Sequence, residues 1–162
     1  MTHERRGESD EWYTPKYIFD ALGLVFDIDV ACPPEGPRYT PARSYFSENA
    51  IQKEWGGLVW MNPPFGNETI KRIWLHKFFD HGNGIALLPD RTSAGWWQIY
   101  AEIADVVLFI APKVKFERPD GSIGKSPGNG TTLFAAGRVA SDALIQSGLG
   151  LVFRPEREKG GE

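Results

Sequence analysis

The segment GLVWMNPPF, residues 57–65, decides the fold expected for this chain. Its continuous apolar run indicates a strand buried on both faces, because a strand with one solvated face would alternate apolar and polar residues. Asn62 ends that run, and Pro63 and Pro64 lack the backbone N–H that a sheet or helix requires. Residues that precede prolines favour extended conformations. The segment therefore predicts a central strand that stops at an extended bend stiffened by prolines.

Similar apolar runs lie on both sides of this segment and alternate with helical patterns. Further strands are predicted at residues 24–31, 84–89, 105–112, 131–137 and 151–154. Helices are predicted at residues 16–23, 47–55, 67–80 and 93–103. Buried strands that alternate with helices are typical of α/β domains. We therefore expect one domain over residues 11–154, with a loose N-terminus at 1–10 and a loose tail at 155–162.

Local signals also predict where some of these elements begin and turn. Thr14 is the predicted N-cap of the first helix, with Pro15 as its first helical residue and Gly23 as its stop. Ser47 is the predicted cap of the short helix at 47–55. The prolines of residues 33–41 predict a loop, and the Asp-Gly pair at 120–121 predicts a hairpin-like turn.

Composition limits the classes to which the chain can belong. Its 162 residues suit a single domain, and its formal net charge of -3 counts against a large nucleic-acid footprint without excluding a local basic patch. Cys32 has no second cysteine to pair with, and three scattered histidines do not predict a metal site. No apolar run approaches the roughly 20 residues that span a bilayer, so we expect the protein to be located in the cytoplasm.

The bend after the predicted central strand has a chemistry of its own. Ligands of α/β sheets bind beyond the carboxyl ends of the strands, and this is where Asn62 and Pro63 are expected. The Asn62 side chain and the Pro63 carbonyl both accept hydrogen bonds, as the amine of a nucleobase requires. Phe65 offers a flat surface on which an extruded base can stack. The alternative is that Asn-Pro-Pro only ends a strand.

Several motifs occur in a fixed order along the chain: EWYTP at 11–15, FDIDVA at 26–31, EWGG at 54–57, NPPF at 62–65, and Leu-Pro at 88–89 with Arg91. Together they resemble the motifs of phage DNA N6-adenine methyltransferases of the Dam type, over roughly residues 11–137. The NPPF tetrapeptide is similar to motif IV of amino-methyltransferases. That resemblance places Asn62, Pro63, Pro64 and Phe65 in the catalytic site.

The resemblance implies a compact Rossmann-like methyltransferase fold, a single domain with a reduced N-terminal half of the sheet. It implies S-adenosylmethionine as methyl donor and adenine N6 in DNA as acceptor. The loop ACPPEGP at 31–37 holds only Gly36, where most such enzymes have several glycines. Whether Asp27 or Asp29 contacts the donor therefore stays open. The implied donor-binding residues are Trp12, Tyr13, Thr14, Pro15, Asp27, Asp29 and Ala31.

Basic residues in two places are candidates for contact with DNA phosphates. One candidate follows the strand at 84–89, and the others lie in a Gly/Pro-rich hairpin, for which the alternative is a solvated surface without a ligand. Methylation of cytosine N4, of RNA adenine or of a glutamine side chain remains an alternative, as does a DNA-binding or donor-binding module without catalysis. The candidate DNA contacts are Arg91, Lys113, Lys115, Arg118 and Lys125.

Overall fold

A sheet with helices on both faces forms the centre of the computed structural model, which describes residues 12–64, 66–124 and 129–156. In the described residues the strands are β1 (Phe26–Asp29), β2 (Ala42–Tyr45), β3 (Val59–Met61), β4 (Gly84–Pro89), β5 (Val106–Ile110), β6 (Thr131–Ala136) and β7 (Gly150–Phe153). The helices are α1 (Lys16–Leu22), α2 (Glu68–His81), α3 (Gly95–Ile103) and α4 (Arg138–Gln146), with a 3₁₀ turn at Ala50–Gln52.

The strand order of the sheet is β2-β1-β3-β4-β6-β5-β7. Strands β2, β1, β3 and β4 are parallel, β6 is antiparallel to both of its neighbours, and β7 is antiparallel to β5. The chain leaves β1 toward β2 on one side and returns to β3 on the other. Open α/β sheets bind ligands at such a reversal, beyond the carboxyl ends of the strands. The expected binding edge therefore lies after Asp29 of β1 and Met61 of β3.

Two apolar cores lie on opposite faces of the sheet. Helices α1 and α4 cover the first, where the rings of Phe19 and Trp60 meet edge to face with centroids 4.8 Å apart. Helices α2 and α3 cover the second, which contains Met61, Phe78 and Trp97. Neighbouring residues of β3 thus enter different cores. The prediction of a strand buried on both faces is confirmed.

Helix ends agree with the predictions at some positions and not at others. Gly23 stops α1 in the left-handed conformation, at φ 63°, as predicted. The Asn67 side chain caps α2 by accepting from the Ile70 N–H at 3.0 Å. The predicted Thr14 cap is wrong: Pro15 occupies that position in extended conformation, and no side chain caps the helix. Thr14 is buried instead, so its hydroxyl is not at the exposed helix end.

Two elements had no sequence prediction. Strand β2 reads ARSY and is largely exposed, so it shows no apolar run, yet it pairs along β1. Helix α4 buries Ala140, Ala143 and Leu144 beneath a polar outer face. The predicted helix at 47–55 is reduced to the 3₁₀ turn, because Asn49 before it takes a positive φ of 55°.

The residues outside the described ranges are 1–11, Phe65, 125–128 and 157–162. The two predicted loose ends fall largely among them. The domain boundaries proposed from the sequence therefore stay a prediction. Within the part of the chain that is described, no helix has the length and apolar character needed to cross a membrane.

Candidate active site

The Asn62-Pro63-Pro64 bend leaves β3 at the carboxyl edge of the sheet. Met61 before it is fully buried, Asn62 and Pro64 are half-buried, and Pro63 is buried. Neighbouring strands fix the start of the bend, because the Val30 N–H donates to the Trp60 carbonyl at 3.1 Å and Met61 pairs with a residue of β4. The bend is thus held between two strands before α2 begins.

The bend carries two hydrogen-bond acceptors at the carboxyl edge of the sheet. Among the residues described, none donates a hydrogen bond to the Asn62 side chain or to the Pro63 carbonyl. Buried and half-buried polar groups are ordinarily paired, so open acceptors at a sheet edge suit a ligand with N–H donors. The two prolines limit backbone freedom and keep both acceptors in place.

Asp29 ends β1, the strand beside the bend. Its side chain is only 5% exposed, and its Oδ1 accepts from the Ala31 N–H at 3.1 Å. Burial raises the pKa of this carboxyl to about 7, although the Ala31 hydrogen bond acts in the other direction. A buried carboxyl with one described N–H partner is well suited to a ligand that brings a positive charge or hydroxyl donors.

Asp27 has a different environment from Asp29. It is exposed, and its Oδ2 accepts from the Leu58 N–H at 2.7 Å, at the beginning of β3. Arg43 lies 3.8 Å from its other oxygen. Gly57, at φ 71°, leaves no room for a Cβ against this carboxylate. Asp27 therefore ties β1 to the start of β3, while Asn62 follows the end of β3.

The segment before α1 pairs with a distant hairpin. Tyr13 and Glu117 exchange two backbone hydrogen bonds, of 2.7 and 2.9 Å. The Arg38 guanidinium lies 4.0 Å from the centroid of the Tyr13 ring, and the Arg118 guanidinium lies 5.2 Å from that of Trp12. Each of the two aromatic rings thus has one face covered by a cation.

The rest of this segment is also packed. Thr14 is buried and Pro15 is half-buried, directly ahead of α1 on the face of the sheet that carries Trp60. The Trp12 ring lies so close to Gly124 that a Cβ at that glycine would collide with it. Four residues predicted to contact the donor therefore form a wall on one side of the sheet.

Arg38 anchors the hairpin that carries Arg118, one of the predicted DNA contacts. Its guanidinium donates to Glu117 Oε1 at 3.0 Å and to the carbonyls of Arg118 and Pro119 at 3.0 and 2.7 Å. The Tyr39 hydroxyl donates to Glu117 Oε2 at 2.8 Å, and this bond is the main cause of a raised Tyr39 pKa. Sequence reasoning missed Arg38, because its partners are far away along the chain.

The hairpin turn predicted at residues 120–121 is confirmed. Gly121 has a φ of 87°, and Glu117 bridges Ile123 across the turn. Lys113 and Lys115 are exposed on the segment that leads to it, whereas Val114 and Phe116, which alternate with them, are buried in the core.

The predicted DNA contacts lie in two places along the carboxyl edge. Arg91 is exposed and follows β4, while Lys113, Lys115 and Arg118 follow β5. Lys125 and the predicted stacking residue Phe65 lie outside the described residues. Next to Arg91, the Asp90 side chain bonds to the Thr132 hydroxyl and joins the end of β4 to the start of β6.

In the described ranges, no group of three or more histidine, cysteine, aspartate or glutamate side chains could hold a metal ion. Cys32 is fully buried.

A family model described as DNA N-6-adenine-methyltransferase (Dam) matches residues 1–143. The match includes the Asn62 bend, both aspartates of β1 and every strand except β7. No curated protein and no solved structure matches the chain.

Proposed function

The chain belongs to the DNA N-6-adenine-methyltransferase (Dam) family, and we propose that it moves a methyl group from S-adenosylmethionine to adenine N6 in DNA. The proposed fold is a Rossmann-like methyltransferase fold, in which β2 is the only strand beyond β1 among the described residues. One observation carries the site: the open acceptors of Asn62 and Pro63 lie at the strand reversal, beside the buried carboxyl of Asp29.

The distance between these groups suits two adjacent ligands. Asp29 pairs in register with Trp60, and Asn62 follows two residues later. Two residues of strand rise about 7 Å, and neighbouring strands lie about 4.8 Å apart. A methyl donor at Asp29 and a base at Asn62 would therefore be neighbours along one edge of the sheet.

In this proposal the bend binds the amine of the base. The Asn62 side-chain oxygen and the Pro63 carbonyl accept its two N–H groups, and Pro64 keeps the chain extended. The lone pair of adenine N6 is delocalised into the ring, so the amine is a poor nucleophile. Two fixed acceptors favour a pyramidal nitrogen and stabilise the positive charge that develops on it during attack. Such preorganised acceptors act on the transition state more than on the ground state.

The adenine must leave the duplex to reach this bend. The bend follows a strand buried on both faces, so a base that remains stacked in DNA cannot approach it. We therefore include base flipping in the proposal. Phe65 follows the bend directly and is the proposed stacking surface for the flipped base. This role stays a prediction.

The residues near Asp29 fit the donor. S-adenosylmethionine, when bound, supplies a methyl group on a positively charged sulfur. Its ammonium and ribose hydroxyls are the donors that the buried Asp29 carboxyl can bind. The Ala31 N–H orients that carboxyl, at 3.1 Å. Asp29 is the better candidate than Asp27, because Asp29 is buried at the carboxyl end of β1, whereas Asp27 is exposed and bonds to the Leu58 N–H at the start of β3.

The wall formed by residues 12–15 is the proposed second side of the donor pocket. Tyr13, Thr14 and Pro15 precede α1, whose Phe19 contacts Trp60, and Trp60 is the register partner of Asp29. Register partners share a face of the sheet, so the wall and the Asp29 carboxyl are expected on the same face.

Transfer of labelled methyl groups tests the proposed function. Unmethylated DNA and tritium-labelled S-adenosylmethionine are incubated with the protein, and the DNA is digested to nucleosides for mass spectrometry. We expect N6-methyladenine as the labelled product. A label on cytosine N4 would contradict the acceptor, and unlabelled DNA together with no donor binding by calorimetry would contradict the activity.

A further inference from the structure

We propose that Lys71 and Arg91 form a phosphate-binding pair, which holds a phosphodiester of the target strand beside the flipped adenine. The proposal rests on the function above, because it places DNA at the carboxyl edge of the sheet. Lys71 showed no signal in the sequence beyond its position after the Asn62 bend.

The two residues lie at the carboxyl edge of the sheet, on different elements. Lys71 lies near the start of α2, where its backbone N–H donates to the Asn67 carbonyl at 3.2 Å. Arg91 follows β4. Met61 pairs in register with Ala86, so the three further residues of β4 extend about 10 Å beyond the end of β3. Arg91 therefore lies beyond the end of β3, and Lys71 lies on the helix that follows the bend.

Fixed neighbours hold the Lys71 ammonium and the backbone of Arg91. The Lys71 ammonium lies 5.3 Å from the centroid of the Trp96 ring. Trp96 is only 5% exposed, so the core holds this ring in place. The Arg91 carbonyl accepts from the Ala94 N–H at 2.8 Å, in the turn that leads into α3 and Trp96. A ligand would thus meet one cation that is already positioned and a second whose backbone is fixed, which lowers the entropic cost of binding.

The positive charge of the pair is not neutralised within the described part of the chain, where neither residue forms an ion pair with a carboxylate. Glu68 on α2 binds Arg72 instead, at 2.6 Å. Asp90, the neighbour of Arg91, bonds to Thr132. Burial and the nearby Arg91 charge both lower the Lys71 pKa. An anion between the two cations would relieve this repulsion.

A phosphodiester is the anion that this position favours. Lysine and arginine contacts with backbone phosphates fix the register of a protein on DNA. The pair lies at the same edge of the sheet as the acceptors proposed for adenine. The phosphate that it binds would therefore belong to the DNA strand that carries this adenine. Arg118 of the hairpin is a weaker candidate for this phosphate, because the hairpin follows β5, and β6 separates β5 from β4 in the sheet.

The test measures DNA binding without the donor. Lys71→Met, Arg91→Met and the double variant are compared by fluorescence anisotropy with a labelled duplex of mixed sequence, between about 50 and 200 mM salt. Removal of one cation that binds a phosphate should reduce the steepness of log K against log salt by about 1. The charge-conserving variants Lys71→Arg and Arg91→Lys should keep the slope of the wild type.

Arg138→Met is the matched control. Arg138 is exposed and begins α4, which follows β6, and β6 runs antiparallel to β4 and so ends at the opposite edge. Its replacement removes the same charge and should leave the slope unchanged. An unchanged slope in the double variant, or an equal fall in Arg138→Met, would overturn the pair.

Binding and transfer can fail separately in this design. An active enzyme whose double variant keeps its slope would overturn the phosphate pair alone. A protein without transfer whose slope falls in the double variant but not in the control would overturn the enzyme and support the DNA contact.

Discussion

At the scale of single residues, the proposed site depends on polar groups that end two neighbouring strands. Asn62 follows β3 and offers an amide oxygen, while Asp29 ends β1 and offers a buried carboxyl. The first is matched to a neutral amine and the second to a cation or to hydroxyl groups. Their separate chemistry allows each to be tested by a single substitution.

Replacing Asn62 with alanine should remove one acceptor of the amine and leave the fold intact. We expect a loss of about 10²–10³-fold in kcat, by analogy with the removal of one preorganised hydrogen-bonding group from other sites. Donor binding, measured by calorimetry, should stay the same. Gln52→Ala is the control, since it removes an exposed amide at the end of the 3₁₀ turn. Full transfer by Asn62→Ala would contradict the proposed role.

Replacing Asp29 with asparagine should make the donor-free protein more stable at neutral pH. Below about pH 4 the carboxyl is protonated in both the folded and the unfolded chain, so its burial does not lower the free energy of unfolding. Between about pH 4 and its folded pKa of about 7, the unfolded chain loses the proton while the folded chain keeps it, so stability falls as pH rises. The asparagine variant lacks this loss, which amounts to about 4 kcal/mol above pH 7.

Urea unfolding at acidic and neutral pH measures this difference. The free energies of unfolding of wild type and Asp29→Asn should converge near pH 4 and separate toward pH 7. Parallel profiles would show that the carboxyl is not buried. The same variant should bind S-adenosylmethionine at least about tenfold more weakly, because it cannot form a charge-assisted hydrogen bond.

At the scale of elements, the hairpin at residues 117–123 connects regions that are far apart in the sequence. It pairs with Tyr13 before α1, and Arg38 from the loop after β1 donates to three of its acceptors. The same hairpin carries Arg118 and follows Lys113 and Lys115. Its attachment therefore links the proposed donor wall to the candidate DNA contacts.

Arg38→Met should release this hairpin, because Glu117 Oε1 and two carbonyls lose their donor. We expect the amides of residues 117–123 to exchange hydrogen faster, and the free energy of unfolding to fall by about 1–3 kcal/mol. Hydrogen exchange followed by mass spectrometry measures the first effect. Arg43→Met is the control, as Arg43 is exposed and makes one long ion pair, at 3.8 Å. Equal exchange rates in both variants would argue against the anchor.

At the scale of the whole molecule, β4 holds the two halves of the sheet together. It pairs with β3 on its parallel side and with β6 on its antiparallel side, and its side chains enter both cores. Gly84 begins this strand without space for a side chain: a Cβ would collide with the Val59 carbonyl and would lie 3.1 Å from the Phe78 ring.

Gly84→Ala should therefore destabilise the entire fold, by about 1–3 kcal/mol, as overpacking of a core does. Gly95→Ala is a matched control, because it lies at the start of α3 with no atom within 4 Å of the added Cβ. That change should be neutral or should stabilise by up to about 1 kcal/mol, since alanine favours the helix. Thermal unfolding of both variants measures the contrast, and equal melting temperatures would contradict the close packing.

The sequence by itself determined the features that arise between residues close together in the chain. The apolar run of β3, the proline bend after it and the glycine that stops α1 were all predicted, because burial on both faces, a missing N–H and a left-handed conformation each leave a local signal. The Asn-Pro-Pro-Phe motif, within its order of motifs, also indicated the family that the comparison shows.

Only the tertiary structure decided what depends on distant partners. Strand β2 has no apolar run and exists because β1 offers it an edge, and β6 reverses direction between two strands that run the other way. The difference between Asp27 and Asp29 is one of burial and neighbours, not of residue type. The proposed pair of Lys71 and Arg91 likewise depends on the fold, which brings α2 beside the segment that joins β4 to α3.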